Sequence, residues 1–159
     1  MKKNLLVSAC LLGINCRYDG KNQKNLDVIQ LTKNYNLIPV CPEQLGGLST
    51  PRASSWFING DGIDTNNELN NLRNENGKDV SKYFRNGAKE ALKICKLLCI
   101  KNAILKENSP SCGYNKIYFK DKLVDGKGVT TAILLKNGIT VMSENEIWKL
   151  DETTNLVAK

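Results

Sequence analysis

Short apolar runs alternate with amphipathic stretches along most of the chain, at the periods of buried strands and surface helices. Leu5-Leu6-Val7 is a continuous apolar run, predicted as a buried first strand that the small residues Ser8 and Ala9 end before Cys10. From Leu11 to Gly20 the chain reads as a glycine-punctuated loop. Val28, Leu31 and Tyr35 then recur at helical spacing, predicting a first crossover helix over 27–35 with Asp27 as its N-cap. Leu37-Ile38-Pro39-Val40 is predicted as a second strand, and because Pro39 has no N–H to give a ladder, the strand belongs at a sheet edge or ends there. Residues 44–77 are rich in Gly, Asn, Ser and Asp and are expected to form a long irregular connection, of the kind used as lids or binding loops.

The clearest helix is predicted over 79–99, where Val80, Phe84, Ala88, Ala91, Cys95 and Leu98 share one face and Lys and Arg occupy the other. Ala103-Ile104-Leu105 is the next strand, leading into Asn108-Ser109-Pro110-Ser111-Cys112-Gly113. A helix over 129–136 opens after Gly126-Lys127-Gly128 and closes on Asn137-Gly138. Ile139 to Met142 is a last strand, and Ser143-Glu144-Asn145-Glu146 has the capping-box pattern of a C-terminal helix. Strand and helix thus alternate, which predicts a single α/β domain over 1–159: a small doubly wound, three-layer sandwich around a mostly parallel sheet of four or five strands.

That fold gives the cysteines a shared place. In an open parallel sheet the carboxyl ends of the strands form one rim, where ligands bind. Cys10, Cys41 and Cys112 each follow a predicted strand and lie among Gly, Pro and Ser, where core packing explains little. Three thiolates meeting on the rim are a soft ligand set for an iron–sulfur cluster or zinc, and three ligands rather than four leave a metal position open. Zinc sites commonly use CxxC knuckles, which this chain lacks, so long separations between single cysteines favour a cluster. Cys95 and Cys99 are read as core residues of the long helix and not as ligands. Cys16 admits three readings: a fourth ligand, a thiol beside the ligands, or a nucleophile activated by Arg17.

Other chemistry is limited by composition. Histidine is absent, so acid–base work falls to Glu, Asp, Lys, Tyr, Cys or water. Glu43, two residues after Cys41 and held by Pro42, is the natural general acid or base, unless it is a plain surface carboxylate. The Ser109 and Ser111 hydroxyls could orient a substrate or relay a proton, or could only shape their turn. Gly46-Gly47 and Gly126-Lys127-Gly128 would permit close backbone approach to a ligand. With 23 Lys and Arg against 16 Asp and Glu, the net charge is +7, but the basic residues are scattered and no RNA-binding signature accompanies them. With no apolar run long enough to span a bilayer and no signal-peptide pattern after Met1, a soluble cytoplasmic protein without membrane contact is expected, with thiols kept reduced.

The motifs Ser8-Ala9-Cys10-Leu11-Leu12-Gly13 with Cys16-Arg17-Tyr18-Asp19-Gly20, Pro39-Val40-Cys41-Pro42-Glu43 with Gly46-Gly47-Leu48 and Pro51-Arg52, Ser109-Pro110-Ser111-Cys112-Gly113, and Gly126-Lys127-Gly128-Val129-Thr130 together resemble the thiouracil desulfurase family over nearly the whole chain. The resemblance implies a compact Rossmann-like fold and a [4Fe–4S] cluster held by only three cysteines, which map to Cys10, Cys41 and Cys112, so that one iron has no protein ligand. It also implies removal of sulfur from thiolated uracils, assisted by a glutamate and a serine that map to Glu43 and Ser109. The expected reaction is non-redox: the open iron takes the thiocarbonyl sulfur, Glu43 activates water, Ser109 orients the base or shuttles a proton, and uracil and hydrogen sulfide leave. After Pro51-Arg52 the family pattern continues with proline and glutamate, whereas this chain has Ala53-Ser54-Ser55-Trp56, so substrate preference is expected to differ if that loop reaches the pocket. The partner is expected to be a small thiolated nucleobase, acted on by a monomer or dimer. Two other classes remain open: a metal-dependent module for thiolated tRNA, and a non-catalytic zinc protein in which Cys16 completes a four-cysteine cage.

Overall fold

The computed structural model describes residues 1–151. Four strands, β1 (Lys3–Ser8), β2 (Tyr35–Val40), β5 (Asn102–Leu105) and β8 (Thr140–Ser143), form a sheet in the order β2-β1-β5-β8. Every pairing in it is parallel. Burial on both faces explains the unbroken apolar run of β1, whose Leu5, Leu6 and Val7 have no exposed surface. Alternate residues serve opposite faces. Leu5, Val7, Ile104 and Met142 pack with Val28 and Leu150 on one side, while Leu6, Ala103, Leu105 and Val141 pack with Cys95 and Leu134 on the other. Pro39 lies in β2, which is an edge strand, as its missing donor requires.

The helices follow the sequence with local corrections. α1 spans only Leu26–Gln30 and runs into a 3-10 turn over Leu31–Lys33, and its cap is Asn25, not Asp27. The Asn25 side chain accepts the Val28 N–H, whereas Asp27 stands in the first turn, where its charge faces the positive end of the helix. Tyr35 already belongs to β2. α4 (Ser81–Leu97) buries Phe84, Ala88, Ala91 and Cys95 as predicted. Cys99 departs from expectation: it lies past the helix end, exposed, with φ of +52°, and Leu98 is also partly open to solvent. α5 (Val129–Lys136) begins after Gly128 and ends at Asn137-Gly138. At the Ser143 capping pattern, turns occupy 144–145 and 147–148 and helix begins at 149, and the remainder of the expected C-terminal helix lies outside the described residues. No helix among the described residues is long and apolar enough to cross a membrane.

The main correction is a second sheet. Within the expected irregular connection, β3 (Ser55–Phe57) and β4 (Leu72–Asn74) pair antiparallel around α3 (Gly62–Asn66). The unassigned stretch after Cys112 supplies the hairpin of β6 (Lys116–Phe119) and β7 (Lys122–Asp125), giving the order β4-β3-β6-β7. This small sheet encloses its own core, in which Phe57, Leu72 and Ile117 meet Phe84 and Val129.

Two close approaches set the frame of the rim. The short helix α2 (Pro42–Leu45) lies against α4 so tightly that a Cβ on Gly87 would stand 1.8 Å from the Pro42 carbonyl oxygen, and one on Gly46 2.0 Å from the Tyr83 carbonyl oxygen. A Cβ on Gly128 would fall 2.5 Å from the Ser111 carbonyl. Gly46 and Gly128, expected to admit a ligand, therefore admit neighbouring backbone instead, while Gly47 and Gly126 lie against the Tyr83 and Ile117 side chains.

Candidate functional site

All four parallel strands end on the same rim, and the chain turns there into the residues singled out in the sequence. Cys10 follows β1 in a 3-10 turn (Ala9–Leu12), Cys41 follows β2 as the residue that caps α2, and Cys112 closes the loop after β5. Cys10, Cys41, Cys112, Glu43 and Ser109 all line one cavity of about 990 Å³, joined by Cys16 and Ser111. None of the cysteines is in a disulfide, and Cys10, Cys16 and Cys112 are buried. The remaining two stand apart: Cys95 is buried under the sheet and Cys99 is on the surface.

Cys16 sits against two of the three, sharing thiol hydrogen bonds with Cys10 and Cys41. The bond with Cys10, helped by burial, pushes the Cys16 thiol up to about 11 against the lowering effect of Cys41. Cys41 is raised as well, by its bond with Cys16 and then by burial, and it also donates to the Cys16 carbonyl at 3.6 Å. Cys112 is pushed up to about 12 by burial, against partial compensation from the Ser8 and Ser111 hydroxyls. Uncharged thiols packed in this way become thiolate ligands only when a cation takes the place of their protons. Among the described residues no group of three Cys, Asp or Glu side chains is drawn in tightly enough for a single metal ion. A cubane instead gives each thiolate its own iron, so several soft donors lining one roomy cavity fit that group.

The loop that presents Cys112 is built from its own hydrogen bonds. Ser109 Oγ accepts the N–H groups of Ser111 and Cys112, both at 3.1 Å, so the turn-shaping role is realised while the hydroxyl hydrogen stays available to donate. Ser111 is buried, with its hydroxyl 3.1 Å from Thr130 Oγ1, and Thr131 Oγ1 donates to the Cys112 carbonyl at 2.8 Å. The first N–H groups of α5 are likewise taken up by this loop, Val129 by the Pro110 carbonyl and Thr130 by that of Ser111.

Sequence reasoning missed the residues that brace this loop from behind. Glu107, 8% exposed, accepts the backbone N–H groups of Tyr114, Asn115 and Lys116 on Oε1 and the Asn115 side chain on Oε2. Burial works to raise its carboxyl, but the N–H groups of Lys116 and Asn115 outweigh that and hold it below the ordinary carboxylate value. Lys106 Nζ pairs with Glu144 Oε1 at 2.6 Å, and Glu144 Oε2 accepts the Glu107 N–H at 2.8 Å, which ties the end of β8 to the end of β5. A charged pair directly after an apolar strand was the available signal.

Glu43 is far from a plain surface carboxylate. Its Oε2 accepts from Arg52 Nε at 2.6 Å, and both side chains are largely enclosed. Another part of the cavity wall comes from the second sheet: Ser54 just before β3, Ser55 and Trp56 within it, and Tyr118, Lys120 and Asp121 from the β6–β7 hairpin. The Ala53–Trp56 departure thus reaches the pocket.

Comparison with known proteins identifies the family. The family model for 2-thiouracil desulfurase matches residues 5–146. The uncharacterized protein YbbK of Bacillus subtilis (strain 168) is 41% identical over 146 residues, covering 90% of this chain and 97% of that protein. A solved structure described as the [4Fe–4S]-dependent thiouracil desulfidase TudS superposes with a TM-score of 0.82 at 36% identity, covering 98% of this chain and 99% of the other. The chain belongs to the 2-thiouracil desulfurase family.

Proposed function

We propose that the protein removes sulfur from a thiolated uracil in a [4Fe–4S]-dependent, non-redox reaction, with Cys10, Cys41 and Cys112 holding the cluster. The observation that carries this reading is the meeting of three thiols from three parallel strands with a carboxylate in one cavity, in a chain of this family. The cluster would supply a soft Lewis-acidic iron without a protein ligand, suited to the thiocarbonyl sulfur in preference to an ordinary carbonyl oxygen. Glu43 takes a proton from the water that attacks the thiocarbonyl carbon. Ser109, whose oxygen is engaged by two N–H groups but whose hydrogen is not, donates to the base and holds it in register. Ser111 is less suited, since its hydroxyl is buried against Thr130. The carbon–sulfur bond is replaced by a carbon–oxygen bond from water, giving uracil and hydrogen sulfide with no net electron transfer.

Anaerobic reconstitution followed by iron and sulfide analysis and an assay of 2-thiouracil tests the reading. About four irons per chain are expected, with release of sulfide and uracil in equal amounts. Glu43→Gln should retain the iron and lose roughly 100-fold or more in turnover, the scale of general acid–base catalysis. A loaded protein that leaves 2-thiouracil intact, or a Glu43→Gln variant as fast as the parent, would sink it.

A further inference from the structure

We infer that Arg52 is a positioning residue for the reaction, acting through Glu43 by fixing its carboxylate against the Cys16 turn. The inference rests on the reading in which Glu43 is the base. Arg52 is enclosed, its side chain only 8% exposed, and of the five guanidinium N–H donors withdrawn from water four are placed on protein acceptors. Nε donates to Glu43 Oε2 at 2.6 Å, Nη2 to the Cys16 carbonyl at 2.9 Å, and Nη1 to the Ser49 carbonyl and Thr50 Oγ1, each at 3.1 Å. The Arg52 backbone N–H is also committed, to the Tyr18 carbonyl at 2.9 Å.

One rigid plane therefore joins three segments that the sequence keeps apart: the first turn of α2, the 49–52 loop and the 16–18 turn. The Cys16 carbonyl that Arg52 holds also lies 3.6 Å from Cys41 Sγ, so the guanidinium ties the carboxylate to the turn that packs on the thiol beside which it must work. The contact to Glu43 is one-sided. Oε2 is occupied, while Oε1 accepts from no protein group among the described residues and stays open to the cavity. An anchored carboxylate with one free oxygen is what water activation needs, and a misplacement of about 1 Å can cost on the order of 100-fold.

The test compares Arg52→Gln, Arg52→Lys, Glu43→Gln and the Arg52→Gln/Glu43→Gln double variant in the reconstituted protein. Iron and sulfide content are read together with kcat and KM for 2-thiouracil. Arg52→Gln should hold its iron and lose about 10- to 100-fold in kcat, with KM changed less than about threefold, because Arg52 orients the base and does not bind substrate. In the Glu43→Gln background the same change should cost less than about threefold, since a residue acting through Glu43 has little left to act on. Arg52→Lys should recover only part of the rate, as an ammonium cannot span the same four acceptors. Losses that multiply in the double variant, or an Arg52→Gln variant with unchanged kcat, would overturn the inference while leaving Glu43 as base. If Arg52→Gln fails to load iron, Arg52→Lys takes its place in the cycle, and failure of both to load would assign Arg52 to the fold and overturn the inference. A fully active Glu43→Gln variant would instead remove the base itself.

Discussion

Each cysteine's surroundings give it a different expected response to substitution. Cys10→Ala, Cys41→Ala and Cys112→Ala should each abolish iron binding on reconstitution, whereas Cys95→Ala, a thiol buried among aliphatic side chains, should keep full iron and lose a little stability. Cys16→Ser is the most informative of the set: with three ligands it retains about four irons, and loss of the iron would mean that four thiolates close the site and no iron is open to substrate. Glu107 offers a test independent of any cofactor. Glu107→Gln keeps the shape but turns an amide toward donors, so it should cost about 2–4 kcal/mol at neutral pH, as expected when a buried charged acceptor is lost. The carboxyl lies lower in the folded than in the unfolded state, so its contribution is complete above the unfolded value of about 4.3 and is lost as pH falls through the folded one. Urea unfolding at a series of pH values should show the gap between parent and variant closing below about pH 4. A gap that widened on acidification would mean the opposite sign of shift.

The contact of α2 with α4 has a sharper tolerance than any side chain in the site. Gly87→Ala would drive a methyl into the Pro42 carbonyl, so the segment carrying Cys41 and Glu43 must move, and overpacking of this kind costs about 1–3 kcal/mol. Thermal unfolding should detect that loss and reconstitution a lower iron occupancy; a variant as stable and as fully loaded as the parent would show that α2 can shift freely. How much of this was legible depended on element length. β1, β5 and β8 could be read because burial on both faces leaves continuous apolar runs, the edge strand β2 from its short apolar run before Cys41, and α4 because its 17 residues repeat the helical period several times. The strands of the second sheet have three or four residues each, too few to establish alternation, and β6 and β7 place Lys116, Tyr118, Lys122 and Leu123 in solvent. The rim could be anticipated from where the cysteines fall after strands. Arg52 could be seen only as part of a motif, because its hold on Glu43 depends on a loop whose path no periodicity reveals.

For the molecule as a whole, the two sheets divide the work: the parallel sheet presents the thiols and Glu43, and the smaller sheet lines another part of the cavity with Trp56 and Tyr118. Trp56→Ala and Tyr118→Ala should therefore raise KM or alter the preference among thiolated bases without changing iron content; loss of iron from either would place that wall among the cluster's supports. The same division bears on biosynthesis. Residues 10, 41 and 112 meet only through the pairing of β1 with β2 and of β1 with β5, contacts that span most of the chain. With the cluster held as proposed, a ribosome-bound chain that has not yet exposed β5 and residue 112 has at most two of the three donors, and those two lie in a segment in which β1 is paired with β2 alone. On the proposed ligand set, maturation would therefore have an order: the polypeptide must finish its topology before a cluster could be inserted, and a truncated or slowly folding chain would be an unusable acceptor.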